Sequence, residues 1–246
     1  MQITTMGLVI KEVKTGEADR IIHILTQDGV INAIAKGSQR LKSKLFSSTS
    51  LFCYAEFTLF NGKSMYIVDE AEVKEVFFGV RQSVEGMALA MYFAELAATL
   101  LPQGDEAKAL LRLVLNSLSF IAAQKLDFKL LKPLFELRTL TLSGYMPDIV
   151  ACASCAKYDG GNFYFDVIAG EILCAECAVK RSLTPNIDSA TLAALRHIVF
   201  SNDEKLFAFT LGKSSINNLY NVVAQYTQCC IDKPMRSLDF LNTVLT

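Results

Sequence analysis

Asp19-Arg20-Ile21-Ile22-His23-Ile24-Leu25-Thr26-Gln27-Asp28-Gly29-Val30-Ile31-Asn32-Ala33-Ile34-Ala35 reads as a β-hairpin. Its two halves are rich in β-branched residues, which fit a pleated surface, and Asp28-Gly29 between them suits a tight turn. Working outward, residues 7–13 form a similar run before it, and residues 51–60 and 64–71 form two more after it, separated by Asn61-Gly62. Five short strands with hairpin punctuation in about 80 residues suggest a small closed barrel, of which the OB-fold is one common form.

From residue 81 the texture turns helical. Residues 81–101 and 105–124 are rich in Ala and Leu and apolar on most faces, as in helices buried in a bundle. A third helix is expected over 128–143, with Pro133 near its start and Gly144 ending it. Two more are expected over 188–200, with Asp188 as N-cap, and over 215–231. The expected class is therefore α+β and multidomain: an N-terminal OB-fold barrel (1–80) and a C-terminal helical bundle (81–149 and 181–246). A cysteine-bearing insert at 150–180 interrupts the bundle.

That insert carries Cys152-x2-Cys155 and Cys174-x2-Cys177. Two residues between cysteines let a tight knuckle aim both sulfurs at one point, and two knuckles supply a tetrahedron. The 18 residues between the pairs can hold a hairpin, with Phe163-Tyr164-Phe165 as one strand and residues 171–173 as its return. The pattern is that of a zinc ribbon binding one structural zinc ion. A redox role for a single Cys-x-x-Cys is the alternative, which two pairs at ribbon spacing disfavour. Cys53 and the adjacent Cys229 and Cys230 lie outside the pattern; Cys53 reads most simply as core, and one cysteine of the adjacent pair can simply pack inward.

The chain is 52% hydrophobic and 20% charged, with a net charge of −1, so any nucleic-acid role must rest on a local patch. Such a patch exists. Between Asp28 and Glu56 there is no acidic residue, while Lys36, Arg40, Lys42 and Lys44 fall together among Gly and Ser. Cations on a polar loop beside a barrel can follow a phosphate backbone, and Phe46, Phe52 and Tyr54 offer faces on which bases stack. The alternative is a solvated loop whose aromatics face the core. The charge pattern does not separate DNA from RNA. The first residues lead into a strand-like run and not a secretory leader, and the most apolar stretch, broken by Glu95 and Pro102, is too short for a membrane span. A cytoplasmic protein is expected.

Catalytic groups are scarce. The two histidines, His23 and His197, lack the x-Glu that a zinc deaminase pairs with its cysteines. Gly212-Lys213-Ser214 resembles the end of a phosphate-binding loop without its upstream glycine. A non-enzymatic protein is expected.

Gly7-Leu8-Val9-Ile10, Gly16-Glu17-Ala18-Asp19-Arg20, Leu25-Thr26 with Gly29, and Ala35-Lys36-Gly37-Ser38-Gln39-Arg40-Leu41-Lys42-Ser43 follow one another in order. Together with the four-cysteine insert and Met235-Arg236-Ser237-Leu238, they resemble the RecO family of bacterial recombination mediators over nearly the whole chain. The resemblance implies a DNA-repair factor acting at the nucleoid. Such a factor binds single- and double-stranded DNA, anneals complementary strands, and with RecR helps RecA displace single-strand binding protein. It carries a DNA-contact role to Lys36, Arg40 and Lys42, with Lys44 beside them. Gln39 and Leu41 depart from the arginine and proline common at those positions. Arg20 matches the family's Asp-Arg element, and reads equally as a DNA contact or as an internal partner of Glu17 or Asp19. Lys125, Lys129, Lys132 and Arg138 read either as contacts for an acidic tail or as a solvated face. An RNA-binding OB protein and a protein-interaction scaffold are the competing functional classes.

Overall fold

The structure, a computed structural model, describes residues 2–245. Five strands form a closed barrel in the order β1-β2-β3-β5-β4: β1 Gln2–Thr15, β2 Asp19–Thr26, β3 Gly29–Ala35, β4 Cys53–Asn61 and β5 Tyr66–Val76. All neighbours are antiparallel except β3 and β5, whose parallel contact (Ala33 opposite Tyr66, Ile34 opposite Ile67) completes the closure. This is the OB-fold expected from the sequence.

Strand β1 is longer than its apolar centre suggests because it serves two neighbours. Residues 2–8 pair with β4 and residues 7–15 pair with β2, with a bulge around Ile10. Alternation sets the inside of the barrel: Ile22 and Ile24 point in with Val9, Ala33, Ala55, Phe57 and Leu59, while Ile21 and His23 point out. Cys53 belongs to this core, and burial pushes its thiol up to about 11. The two turn glycines act differently. Gly29 takes a positive φ of 137°, whereas Gly62 does not; a Cβ at Gly62 would collide with the Met65 carbonyl, so close approach is what selects glycine there.

The chain forms two compact units, 1–124 with 236–246, and 125–235. Texture changes at residue 80, yet the helices that follow belong with the barrel. In the first unit, α2 (Val84–Thr99) packs on β1 and α3 (Asp105–Ala123) on β2; a short helix α1 (Leu45–Ser48) lies between β3 and β4. Ser83 caps α2 by accepting from the Gly86 N–H. The charge that interrupts α2, Glu95, has a structural task. It accepts from the N–H and hydroxyl of Ser237, in the first turn of the terminal helix α8 (Arg236–Val244), which packs on α2.

In the second unit α4 (Phe128–Leu142), α6 (Ser189–Phe200) and α7 (Lys213–Cys230) form a bundle that carries the cysteine insert. Asp127 caps α4 and Asp188 caps α6. The cations of α4 do not form one solvated stripe. Lys125 and Lys129 are exposed, but Lys132 is buried against Glu136 at 2.7 Å with its ammonium 4.6 Å from the centre of the Tyr220 ring. Arg138 donates to the Ile198 and Val199 carbonyls at the end of α6 and pairs with Asp203 at 3.2 Å. Among the described residues no helix is long and apolar enough to cross a membrane.

Candidate nucleic-acid interface and metal centre

The insert is built on a two-stranded hairpin, β6 (Phe163–Asp166) and β7 (Glu171–Cys174), followed by α5 (Ala175–Lys180). Cys174 ends β7 and is also the N-cap of α5, which places Cys177 one turn along. The other pair sits on a knuckle closed by two backbone bonds. The Cys152 N–H donates to Lys157 O at 2.9 Å, and the Ala156 N–H donates to Cys152 O at 2.8 Å; Ala156 takes a positive φ of 58° to make the turn. A third bond, Ala153 N–H to Ile172 O at 2.9 Å, fixes the knuckle to the hairpin. An exposed ion pair, Lys157 with Glu176 at 3.1 Å, links the two knuckles and contributes little by itself.

All four sulfurs consequently lie within 4.8 Å of one another, with Cys155 and Cys174 at 3.6 Å. A tetrahedron with metal–sulfur bonds of about 2.3 Å has edges of about 3.8 Å, so the set has the dimensions of a four-sulfur site and can hold a metal ion. The thiols are free. Burial opposes ionisation of Cys152, but backbone N–H groups of Cys174, Ser154 and Cys155 outweigh it and bring the thiol down to about 6. The Lys157 N–H also favours the Cys155 thiolate, yet crowding by the sulfurs of Cys177, Cys174 and Cys152 drives it up. Negative charge is both invited and concentrated here, a conflict that a bound cation relieves.

The loop 36–44 leaves the end of β3 and is held on one side by the turn between β1 and β2. Asp19 Oδ1 accepts from the Gly37 N–H at 2.7 Å, Asp19 O accepts from the Gln39 side-chain amide at 2.7 Å, and Ala18 O accepts from the Gln39 N–H at 2.9 Å. Successive turns follow, closed by Ser43 N–H to Arg40 O at 2.8 Å and Phe46 N–H to Ser43 O at 3.1 Å, leading into α1. The segment is thus tethered and folded. Lys36, Arg40, Lys42 and Lys44 are all exposed, and Leu41 stands at the tip with 90% of its surface open. Among the described residues no carboxylate pairs with these four cations.

Arg20 differs from them. It is 8% exposed, and its Nη1 donates to Phe46 O at 2.8 Å and to Thr49 Oγ1 at 3.3 Å. Its guanidinium also lies over the Phe46 ring and 3.8 Å from Glu12, so its partners are neither Glu17 nor Asp19. Asp19 and Arg20, the first residues of β2, thereby support the start of the loop and the α1 segment that follows its end. Arg20 is better assigned to this footing than to a DNA contact. Arg20→Ala is expected to lower unfolding free energy by about 2 kcal/mol, the scale of a charged donor's bonds. A urea midpoint equal to wild type would return Arg20 to the DNA-contact set.

Of the aromatics that follow, Phe52 and Phe57 are buried in the core, Tyr54 is half-buried, and Phe46 remains 38% exposed. The residues that sequence reading missed are supports: Asp19, Gln39 and Thr49 for the loop, and Arg196 for the first knuckle. Only Asp19 carried a signal, through its place in the Gly-Glu-x-Asp-Arg element.

Residues 1–77 match the family model for the N-terminal part of recombination protein O, and residues 81–239 match the model for its C-terminal part. Among curated proteins, the DNA repair protein RecO of Acetivibrio thermocellus is 35% identical over 98% of this chain and 97% of its own length. The DNA repair protein RecO of Alkaliphilus metalliredigens is 29% identical over 95% of each chain. That of Clostridium kluyveri is 28% identical over 98% of this chain and 94% of its own. With both halves matched in order and the likeness running end to end, the chain belongs to the RecO family of DNA repair proteins.

Proposed function

We propose that the chain is a recombination mediator whose loop 36–44 holds the phosphate backbone of single- and double-stranded DNA. It anneals complementary strands and, with RecR, helps load RecA onto DNA covered by single-strand binding protein. One observation carries the DNA-binding part: four exposed cations, free of acidic partners among the described residues, stand on a loop supported by Asp19 and Arg20. A tethered loop loses less conformational freedom on binding than a floppy one, so more of its electrostatic attraction survives as affinity. Lys36, Arg40, Lys42 and Lys44 are the contacting groups, and Phe46 offers a partly open face for a base. The partner roles are supported by the family resemblance, as is a place at the nucleoid in the cytoplasm.

Cys152, Cys155, Cys174 and Cys177 hold one zinc ion in this reading. Four sulfurs leave no position for water, so the ion orders the insert and does no chemistry. An RNA-binding reading predicts a different preference. Competition between matched DNA and RNA oligonucleotides, followed by fluorescence anisotropy, is expected to favour DNA. Preferential retention of RNA would overturn the assignment to DNA.

A further inference from the structure

We propose that Arg196 is the positioning residue of the metal centre, closing the Cys152–Cys155 knuckle and thereby setting how slowly the ion leaves. This rests on the reading that the four cysteines bind zinc. Arg196 lies on α6, well away in sequence from every cysteine of the site, and its side chain reaches both ends of the loop that carries Cys152 and Cys155. Its Nε donates to Ile149 O at 2.9 Å, and its Nη2 donates to Val150 O at 2.8 Å and to Tyr158 O at 2.6 Å. The guanidinium also sits 4.2 Å from the centre of the Tyr158 ring.

One planar cation therefore binds the chain just before the first cysteine and just after the second. Three carbonyls on one guanidinium need its fixed fork of donors, which a lysine lacks. The consequence concerns the ion. Cys155 is the one exposed ligand of the four, so it is where a competing chelator begins. For Cys155 to swing away, residues 149–158 must open, and opening them breaks the Arg196 contacts. The two backbone bonds inside the knuckle are too local to oppose that movement, and Ala153 N–H to Ile172 O holds only the middle of the loop to the hairpin, so Arg196 is the anchor at its two ends. Residues that orient ligands from outside the coordination sphere commonly change metal affinity by about 10–100-fold.

The test is zinc release from the full chain after addition of a colorimetric chelator. Arg196→Ala is expected to release zinc at least about tenfold faster than wild type, and Arg196→Lys several-fold faster, with one zinc per chain in all three. Arg138→Ala serves as the comparison, since it removes a guanidinium on α4 that binds carbonyls at the end of α6, without touching the knuckle. It is expected to lower bundle stability and to release zinc at the wild-type rate. Cobalt-substituted wild type and Arg196→Lys should show the same four-sulfur spectrum, placing the change in the rate and not in the ligand set. Equal release from wild type and both Arg196 variants, or equal acceleration by Arg138→Ala, overturns the role of Arg196. Absence of zinc from wild type overturns the metal reading itself, and with it this inference.

Discussion

Chelator treatment is expected to unfold residues 150–180 and to leave the five-stranded barrel folded. The insert has few apolar side chains of its own: Phe163, Phe165, Ile172 and Leu173 are buried, on strands of four residues each. Two four-residue strands are too little to stand alone in water. A structural zinc ion contributes on the order of 10 kcal/mol in small modules of this kind, more than such a hairpin can supply. The barrel needs no such help, because Val9, Ile22, Ile24, Phe57 and Leu59 converge on one core. Hydrogen exchange resolved along the chain is the suitable measurement. Protection lost across 150–180 and kept across β1 to β5 is the expected result, and a Cys174→Ser variant should reproduce it without chelator. Undiminished protection of the insert after complete metal removal would show that the thiols pack without an ion.

Replacing Lys36, Arg40, Lys42 and Lys44 together by alanine is expected to lower DNA affinity on the order of 100-fold near ~0.2 M salt. Each phosphate neutralised contributes about 0.9 to the logarithmic salt slope on duplex and about 0.7 on single strands, so losing four contacts should flatten the slope by about 3.6 on duplex and about 2.8 on single strands. The fold should be untouched, since all four side chains are exposed and, among the described residues, no carboxylate pairs with them. Titrations at several salt concentrations separate this from a change in structure. A quadruple variant with unchanged affinity and slope would place the DNA elsewhere on the molecule.

How far the sequence reveals these features depends on the range of the interaction behind each. Strands β2 and β3 and their hairpin are legible because period-two burial and the Asp28-Gly29 turn are written within 17 residues. The cysteine site is legible for the same reason: each knuckle is local, and two such knuckles bring four sulfurs within 4.8 Å of one another. Closure of the barrel is not, because β3 meets β5 over two residue pairs that no local pattern marks. Helix α8 escaped notice as well. It is nine residues long, and its first turn is held by Glu95, 142 positions before Ser237. Composition along the chain reports the kind of element and not what it packs against, so α2 and α3 read as part of a separate helical domain although they pack on the barrel.

Charge showed the same division. Lys36, Arg40, Lys42 and Lys44 could be recognised as a surface because nothing acidic lies near them in sequence. Arg20 and Lys132 looked equally available, yet one supports the loop from beneath and the other is buried against Glu136. A cation's sequence neighbourhood does not say whether a distant backbone carbonyl or carboxylate has claimed it.

The most direct measurement is annealing of complementary DNA strands pre-coated with the cognate single-strand binding protein, followed by fluorescence in the presence of zinc. Annealing faster than in the protein-free control is the expected result. No acceleration, even at low salt, would contradict the mediator reading.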